Sequence, residues 1–117
     1  MKGYFSIILH AHLPYVRHPE YEEFLEEDWL YEAISETYIP LLNMFENLTK
    51  DKVPWHITMT LSGTLANMLN DSLLRTRYEK SLNKSLEFCK LELERLKDQE
   101  DMMKVAQHNL NFFKRAK

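Results

Sequence analysis

The sequence predicts an α/β fold with a helix-rich C-terminal half. Two short β-prone runs, at residues 4–9 and 55–61, are separated by a segment with helical periodicity. Helical periodicity then continues from about residue 71 to the end of the chain. The predicted order is therefore strand, helix, strand and three further helices. A strand–helix–strand unit implies two parallel strands joined by a right-handed crossover.

Composition and charge exclude several classes of function. The 117 residues include 15 Lys and Arg against 18 Asp and Glu, a balance opposite to that of most nucleic-acid binders. The chain contains 2 glycines, too few to favour a glycine-rich phosphate loop. Its longest apolar run, residues 5–9 with Ser6 inside it, is far shorter than the roughly 20 residues of a membrane span, and no leader cleavage site follows it. We expect a cytoplasmic protein without nucleic-acid or membrane partners.

The two strands are predicted from different patterns. Residues 4–9 form a β-prone run, and a period of two places Ser6, Ile8 and His10 on one face. Residues 55–61 alternate between Trp55, Ile57, Met59 and Leu61 on one side and His56, Thr58 and Thr60 on the other.

The first helical pattern lies between these strands. It begins at Asp28 and contains Pro40, which removes a backbone donor and should kink or split the helix. After the second strand, Ser62 is predicted to cap a further helix, and Ser62-Gly63-Thr64 is better explained by this cap than by a nucleophilic serine.

The C-terminal half is predicted to be helical throughout. A long helix starts near Asp71 or Ser72, and its apolar stripe consists of Tyr78, Leu82, Leu86, Cys89, Leu93 and Leu96. The position of Cys89 in this stripe predicts a buried thiol. A polar break at residues 97–101 precedes a last helix that runs to Lys117 without a stop signal. Because two parallel strands make a marginal sheet, we expect the chain to be the N-terminal part of a larger α/β protein or a truncated relative of one.

His10 and His12 form the most specific candidate site. Ligands of open α/β sheets and barrels bind beyond the carboxyl ends of the strands, and the i, i+2 spacing sends both imidazoles to one side. The pair could bind a metal, hydrogen-bond sugar hydroxyls or stabilise developing charge. The alternative is a pair of surface histidines. The other histidines show no ligand spacing and are predicted to be structural: His18, His56 and His108.

An acidic and aromatic segment follows at residues 20–32. Its aromatic residues are interleaved with carboxylates, as in many carbohydrate sites: Tyr21, Phe24, Trp29 and Tyr31. A solvated acidic helix start explains the composition equally well. No two carboxylates can be assigned as the catalytic pair of a glycosidase from spacing alone.

Residues 1–21, MKGYFSIILHAHLPYVRHPEY, resemble the N-terminus of glycoside hydrolase family 57. The resemblance is greatest to the subgroup of α-1,4-glucan branching enzymes and amylase-like members. It continues through residues 24–34, 36–42, 57–62 and 73–78. Gly63 departs from the pattern, because relatives commonly have proline after the residue equivalent to Ser62.

The resemblance implies a distorted barrel of seven β/α units, of which residues 1–117 would be the incomplete N-terminal part. It implies that His10 and His12 line the donor sugar subsite and that Trp29 lies near the glucan cleft. The Glu nucleophile and the Asp acid/base of this retaining family would lie beyond residue 117, so no catalytic residue, metal ligand or cofactor is expected here.

The favoured function is 1,4-α-glucan branching by the parent enzyme, with an α-glucan and the remainder of the barrel polypeptide as partners. The 117 residues alone are expected to be inactive. Three alternatives stay open: an α-amylase or 4-α-glucanotransferase of the same family, a metal-dependent barrel hydrolase that uses His10 and His12, and a non-catalytic glucan-binding or interaction module.

Overall fold

Two short strands and five α-helices make up residues 3–117, which are the residues that the computed structural model describes. Their order is β1 (Ile8–Ala11), α1 (Leu25–Glu32), a π-helical segment (Ala33–Tyr38), α2 (Ile39–Lys50), β2 (Thr58–Leu61), α3 (Gly63–Asn70), α4 (Ser72–Arg95) and α5 (Glu100–Ala116). The chain divides into two units, Met1–Leu74 and Arg75–Lys117. The predicted order of strands and helices is confirmed.

The sheet consists of β1 and β2, which are parallel as predicted. Both strands are shorter than their β-prone runs, so the predicted bounds of residues 4–9 and 55–61 were wrong. A strand needs a partner at each position, and pairing extends only from Ile8 opposite Thr58 to Ala11 opposite Leu61. Residues 4–7 therefore lie outside the strand. His10, predicted to share a strand face with Ile8, lies within β1.

Trp55 shows why the second strand starts late. Its ring stacks on Phe45 of α2, with ring centroids 4.5 Å apart and planes 12° apart. Its indole N–H donates a hydrogen bond to the Thr49 hydroxyl at 3.2 Å. This packing against α2 removes Trp55 from the alternating pattern on which the prediction rested.

The first helical region begins at Leu25 rather than at Asp28, and Pro40 divides it as predicted. Pro40 lies in the first turn of α2, where backbone N–H groups have no partner within the helix and the missing N–H of proline costs little stability. Its ring would clash with the carbonyl four residues earlier in a continuous α-helix. The π-helical segment widens the preceding turn, and the Ile39 N–H bonds to the carbonyl of Ile34, five residues back.

The cap at Ser62 is also confirmed. Ser62 has an extended backbone, and its hydroxyl accepts a hydrogen bond from the Leu65 N–H at 3.3 Å. Gly63 is the first residue of α3, and an added β-carbon there would meet no atom within 4 Å. The Ser62 cap therefore starts the helix without needing glycine at the next position.

Helices α4 and α5 form the C-terminal unit and pack through one apolar cluster. Leu86, Cys89 and Leu110 are buried in it, and Leu93 and Phe113 pack against them. Lys117 Nζ donates a hydrogen bond to Asn83 Oδ1 at 2.7 Å. Contacts of the end of α5 with the early part of α4 show that the helices are antiparallel.

The apolar stripe predicted for α4 is buried or half-buried throughout, and Leu86, Cys89 and Leu93 of it belong to this cluster. Leu82, Leu86, Cys89 and Leu96 are buried, and the other two members are half-buried. Burial, together with the charge of Glu92, raises the pKa of the Cys89 thiol. The break falls at residues 96–99 rather than 97–101, because Glu100 and Asp101 occupy the first turn of α5, where acidic side chains are favoured.

None of the helices in the described part of the chain is long and apolar enough to cross a membrane.

Candidate functional site

His10 and His12 lie side by side at the carboxyl end of β1. Their rings stack, with centroids 5.7 Å apart and planes 12° apart, and both side chains are exposed. His10 is opposite Thr60 in the parallel register, and its Nδ1 is hydrogen-bonded to the Thr60 hydroxyl. The stacking agrees with the expectation that the two imidazoles lie on the same side.

The loop that follows these histidines is held by contacts with the start of α4 and the end of α3. Val16 is 1% exposed, and its N–H points to the sulfur of Met68 at 3.3 Å. Arg17 Nε donates to Asp71 Oδ2 at 2.8 Å. Asp71 Oδ1 accepts the Leu74 N–H at 3.0 Å and so caps α4. This backbone N–H, with Arg17, lowers the pKa of Asp71.

Glu27 holds the same loop from the other side. This carboxylate is 1% exposed, and its Oε1 accepts the backbone N–H of His18 at 3.1 Å. Its Oε2 accepts the Tyr31 hydroxyl at 2.9 Å. The sequence analysis missed this role, because Glu27 is one of seven carboxylates in residues 20–32. A signal was present, since Glu27, Leu30 and Tyr31 share one helical face and all three are buried.

His18 is the most strongly paired histidine of the loop. Its Nδ1 lies 3.2 Å from Glu20 and its Nε2 3.2 Å from Glu26, while its ring packs on Phe24 with centroids 3.8 Å apart. Hydrogen bonding to Glu20 is the largest cause that raises the pKa of His18, and Glu26 adds to it. These contacts agree with the structural role predicted for His18.

Trp29 occupies a different element from the two histidines. It lies on α1, and the residue is 48% exposed. Tyr21 and Phe24 stack with centroids 5.1 Å apart before the helix begins. Exposed aromatic surface is therefore available in this segment, as a sugar ring would need. The structure brings His10 and His12 together and places Trp29 separately, on its own helix.

Residues 3–117 offer few side chains that could together ligate a metal ion. No group of three or more His, Cys, Asp or Glu side chains there could hold a metal ion. His56 and His108 are exposed, as expected for histidines outside a ligand set. A His pair alone does not complete a zinc site, which takes at least three protein ligands.

The chain is similar to known proteins along almost its entire length. The model of glycosyl hydrolase family 57 matches residues 6–116. A 1,4-alpha-glucan branching enzyme of Thermococcus kodakarensis is 38% identical over 116 residues, which are 99% of this chain and 17% of that enzyme.

Two solved structures are similar in fold and sequence. The alpha-amylase AmyC of Thermotoga maritima superposes with a TM-score of 0.90 at 43% identity. The GH57-type branching enzyme of Pyrococcus horikoshii superposes with a TM-score of 0.88 at 34% identity. The match covers 99% of this chain and 22% of each structure, so the chain spans about a fifth of the length of these relatives. The resemblance carried by the first 21 residues is thus confirmed over the whole sequence, and the chain belongs to glycosyl hydrolase family 57.

Proposed function

We propose that this chain supplies the first β/α units and the first sugar-contacting residues of a retaining α-glucan-acting enzyme, a 1,4-α-glucan branching enzyme. His10 and His12 contact the donor sugar, and Trp29 offers an aromatic face to the glucan. The observation that carries the proposal is the stacked His10–His12 pair at the carboxyl end of a parallel strand, in a chain of this family. A cytoplasmic location stays a prediction from the sequence.

The reaction needs groups that these residues do not include. In a retaining transfer, a Glu carboxylate attacks the anomeric carbon while an Asp gives its proton to the departing glycosidic oxygen. The 6-hydroxyl of a second glucan chain then displaces the Glu and returns a proton to the Asp, which forms the α-1,6 bond. We place both carboxylates outside residues 1–117. Stacked imidazoles provide N–H donors to sugar hydroxyls and do not replace either carboxylate.

The exposed apolar surface supports the participation of further polypeptide. Parallel sheets are normally covered on both faces, yet Ile8 is 70% exposed and Leu61 is 54% exposed. Tyr4 and Phe5, just before β1, are 98% and 89% exposed. In the C-terminal unit, an apolar groove of about 540 Å³ lies between α4 and α5. We propose that the remainder of a family 57 barrel covers the sheet and completes the catalytic domain.

A chimaera tests this function. The matching segment of the Thermococcus branching enzyme is replaced by residues 1–117, and the product from linear amylose is analysed for α-1,6 linkages by NMR. The chimaera is expected to form α-1,6 linkages, and the isolated 117-residue chain is expected to form none. His10→Ala in the chimaera is expected to reduce the rate at least tenfold, the effect of about 1.4 kcal/mol in the transition state.

The matched control is His56→Ala, which removes an exposed histidine outside the proposed site. It should leave branching unchanged. A folded chimaera that lacks all activity on amylose but binds it with saturation would favour a non-catalytic glucan-binding module. Branching by the isolated chain would contradict the assignment of both catalytic carboxylates to other residues.

Hydrolysis is the second candidate, and one observation favours it. Identity to the Thermotoga alpha-amylase structure, at 43%, exceeds identity to either branching enzyme. Water would then replace the 6-hydroxyl as the acceptor, so new reducing ends would appear without α-1,6 linkages. Grafting residues 1–117 into the amylase as well compares the two contexts: full hydrolysis in that chimaera with little branching in the Thermococcus chimaera would favour hydrolysis. Disproportionation of short maltooligosaccharides would instead indicate a 4-α-glucanotransferase.

A further inference from the structure

We propose that Thr60 is a positioning residue for His10: its hydroxyl donates to Nδ1 of His10 and holds the proton of the neutral imidazole on Nε2, the atom presented to the glucan. The assignment of the glucan as ligand rests on the proposed function. The Thr60–His10 pairing itself rests only on the structure.

The parallel register brings the two residues together. His10 of β1 is opposite Thr60 of β2, and paired residues of adjacent parallel strands project from the same face. Their side chains meet through Nδ1 and the hydroxyl oxygen. The two residues are 50 positions apart in the sequence, so this contact exists only when the strands pair.

The direction of the hydrogen bond follows from basicity. A threonine hydroxyl carries one hydrogen and rotates to suit its partner, while neutral imidazole has one protonated and one unprotonated nitrogen. The unprotonated nitrogen is the stronger base, since histidine titrates near pH 6.5 whereas an alcohol oxygen is hardly basic. The favoured arrangement is therefore O–H to Nδ1, which leaves Nε2–H free to donate. A hydrogen bond at one ring nitrogen sets the role of the other.

His12 restricts the same ring in a second way. The two imidazole planes are 12° from parallel with centroids 5.7 Å apart, so rotation of His10 about its side chain would disrupt the stack. Thr60 fixes which nitrogen carries the proton, and His12 fixes the plane in which it points. Together they present one oriented donor at the carboxyl end of the sheet. Such a donor can hydrogen-bond a sugar hydroxyl, and because its direction is fixed it favours one position of the glucan along the site.

The test is ¹⁵N NMR of the imidazole nitrogens in the 117-residue chain at neutral pH. Four variants are compared with the unmodified chain: Thr60→Val, which keeps the branched shape without the hydroxyl; Thr60→Ala, a second variant without it; Thr60→Ser, which restores it; and Thr58→Val. Thr58 lies on the same strand and face, opposite Ile8, and serves as the matched control. The resonances of His18, held by Glu20 and Glu26, report that each variant is folded.

The unmodified chain, Thr60→Ser and Thr58→Val should show Nε2 protonated and Nδ1 unprotonated in His10. In Thr60→Val and Thr60→Ala the two nitrogen shifts should move toward each other, because both tautomers become populated. An unchanged pattern in either folded variant without the hydroxyl would overturn the proposal. A proton on Nδ1, or an equal mixture, in the unmodified chain would overturn it too.

A maltoheptaose titration of the chimaera with the Thermococcus enzyme, which supplies the remaining polypeptide, separates this inference from the proposed function. Maltoheptaose should shift the His10 Nε2–H resonance, and Thr60→Val should weaken binding about fivefold, the usual effect of one hydrogen bond. If the tautomer depends on Thr60 while maltoheptaose shifts nothing, the positioning role stands and the glucan-binding function fails. If maltoheptaose binds equally to Thr60→Val with an unchanged tautomer, the positioning role fails and glucan binding stands.

Discussion

The N-terminal and C-terminal units are stabilised by contacts of different sequence range. In Met1–Leu74, the polar contacts around the site join distant residues: Val16 with Met68, Arg17 with Asp71, and His10 with Thr60. In Arg75–Lys117, ion pairs join residues within one helical turn, such as Arg95 with Glu92 and Lys104 with Glu100. The long-range contact there is mainly the apolar cluster between α4 and α5.

This difference distinguishes the C-terminal unit, which is a scaffold, from the N-terminal unit, which carries the candidate site. Local pairs on exposed helices contribute little, and an apolar stripe tolerates many sequences of the same pattern. The contacts of the N-terminal unit depend on single atoms of particular side chains. We therefore expect substitutions in the C-terminal unit to change stability alone, and substitutions in the N-terminal unit to change both stability and the orientation of the two histidines.

The largest effect is expected from Leu110→Ala, which opens a cavity in the apolar cluster of the C-terminal unit. Leu110 is 6% exposed, and the loss of its side chain should lower the free energy of unfolding by about 3 kcal/mol in urea denaturation. Val105→Ala, on the same helix at a position that is 55% exposed, is the control and should change it by less than about 0.5 kcal/mol. Equal losses in the two variants would contradict a core at this position.

Glu27→Ala tests the N-terminal unit in the same way. It removes the acceptor of two buried hydrogen bonds, from the His18 N–H and the Tyr31 hydroxyl, and should lower the free energy of unfolding by about 2 kcal/mol. Tyr31→Phe removes one of the bonds and should lower it by about 1 kcal/mol. In contrast with Leu110→Ala, Glu27→Ala should also shift the His12 ring resonances. Unchanged His12 resonances would argue against a loop held by Glu27.

Asp71→Ala removes both the cap of α4 and the ion pair with Arg17. Loss of the cap alone should lower the free energy of unfolding by about 1 kcal/mol. Asp71→Asn keeps an acceptor for the Leu74 N–H, so its free energy of unfolding should fall less than that of Asp71→Ala.

The same carboxylate gives an acid-dependent signature. Because the pKa of Asp71 is lower in the folded chain, its stabilisation is present above the ordinary Asp value near pH 3.9 and is lost as the pH falls through the lowered value. Denaturation curves between pH 5 and pH 2 should show a smaller decrease in Asp71→Asn than in the unmodified chain. The same decrease in both proteins between pH 5 and pH 2 would contradict a stabilising contribution of the Asp71 carboxylate.

Gly63→Pro should stabilise the chain modestly. Gly63 is the first residue of α3, where proline is favoured, and the preceding Ser62 already has the extended backbone that a following proline requires. An added side chain would meet open space, so we expect an increase of about 0.5–1 kcal/mol in the free energy of unfolding. Gly63→Ala is the control for loss of glycine flexibility alone. A urea-denaturation midpoint below that of the unmodified chain would indicate that the Gly63 N–H contributes to the stability of the folded chain.

The smallest effect concerns the protonation of His18. Glu20→Gln should lower the pKa of His18 more than Glu26→Gln does, because Glu20 is the larger cause of its increase. Since the folded pKa is raised, the two ion pairs contribute fully below the ordinary His value near pH 6.5 and are lost as the pH rises through the raised value. An NMR titration of His18 measures this, and Glu22→Gln is the matched control. An unchanged titration in both variants would contradict the pairing.

Much of the C-terminal unit was predictable from the sequence. The stripe containing Leu86 and Cys89 identifies the buried face of α4, because helical periodicity depends only on residues three and four apart. The Ser62 cap was found for the same reason. Strand bounds were less predictable, since pairing with the other strand decides them: Trp55 packs on α2 instead of joining β2, and β1 begins only at Ile8.

The sequence by itself determined the family, the order of strands and helices, the split of the first helical region at Pro40 and the likeness of His10 and His12 to a sugar-contacting pair. These depend on local spacing or on a run of residues that can be compared directly. Only the tertiary structure decided that Glu27 is buried beneath the loop, that Arg17 reaches Asp71, and that Thr60 bonds to His10. Each of those contacts joins groups on separate elements, and their positions in space follow from chain folding and parallel register, which no local pattern encodes.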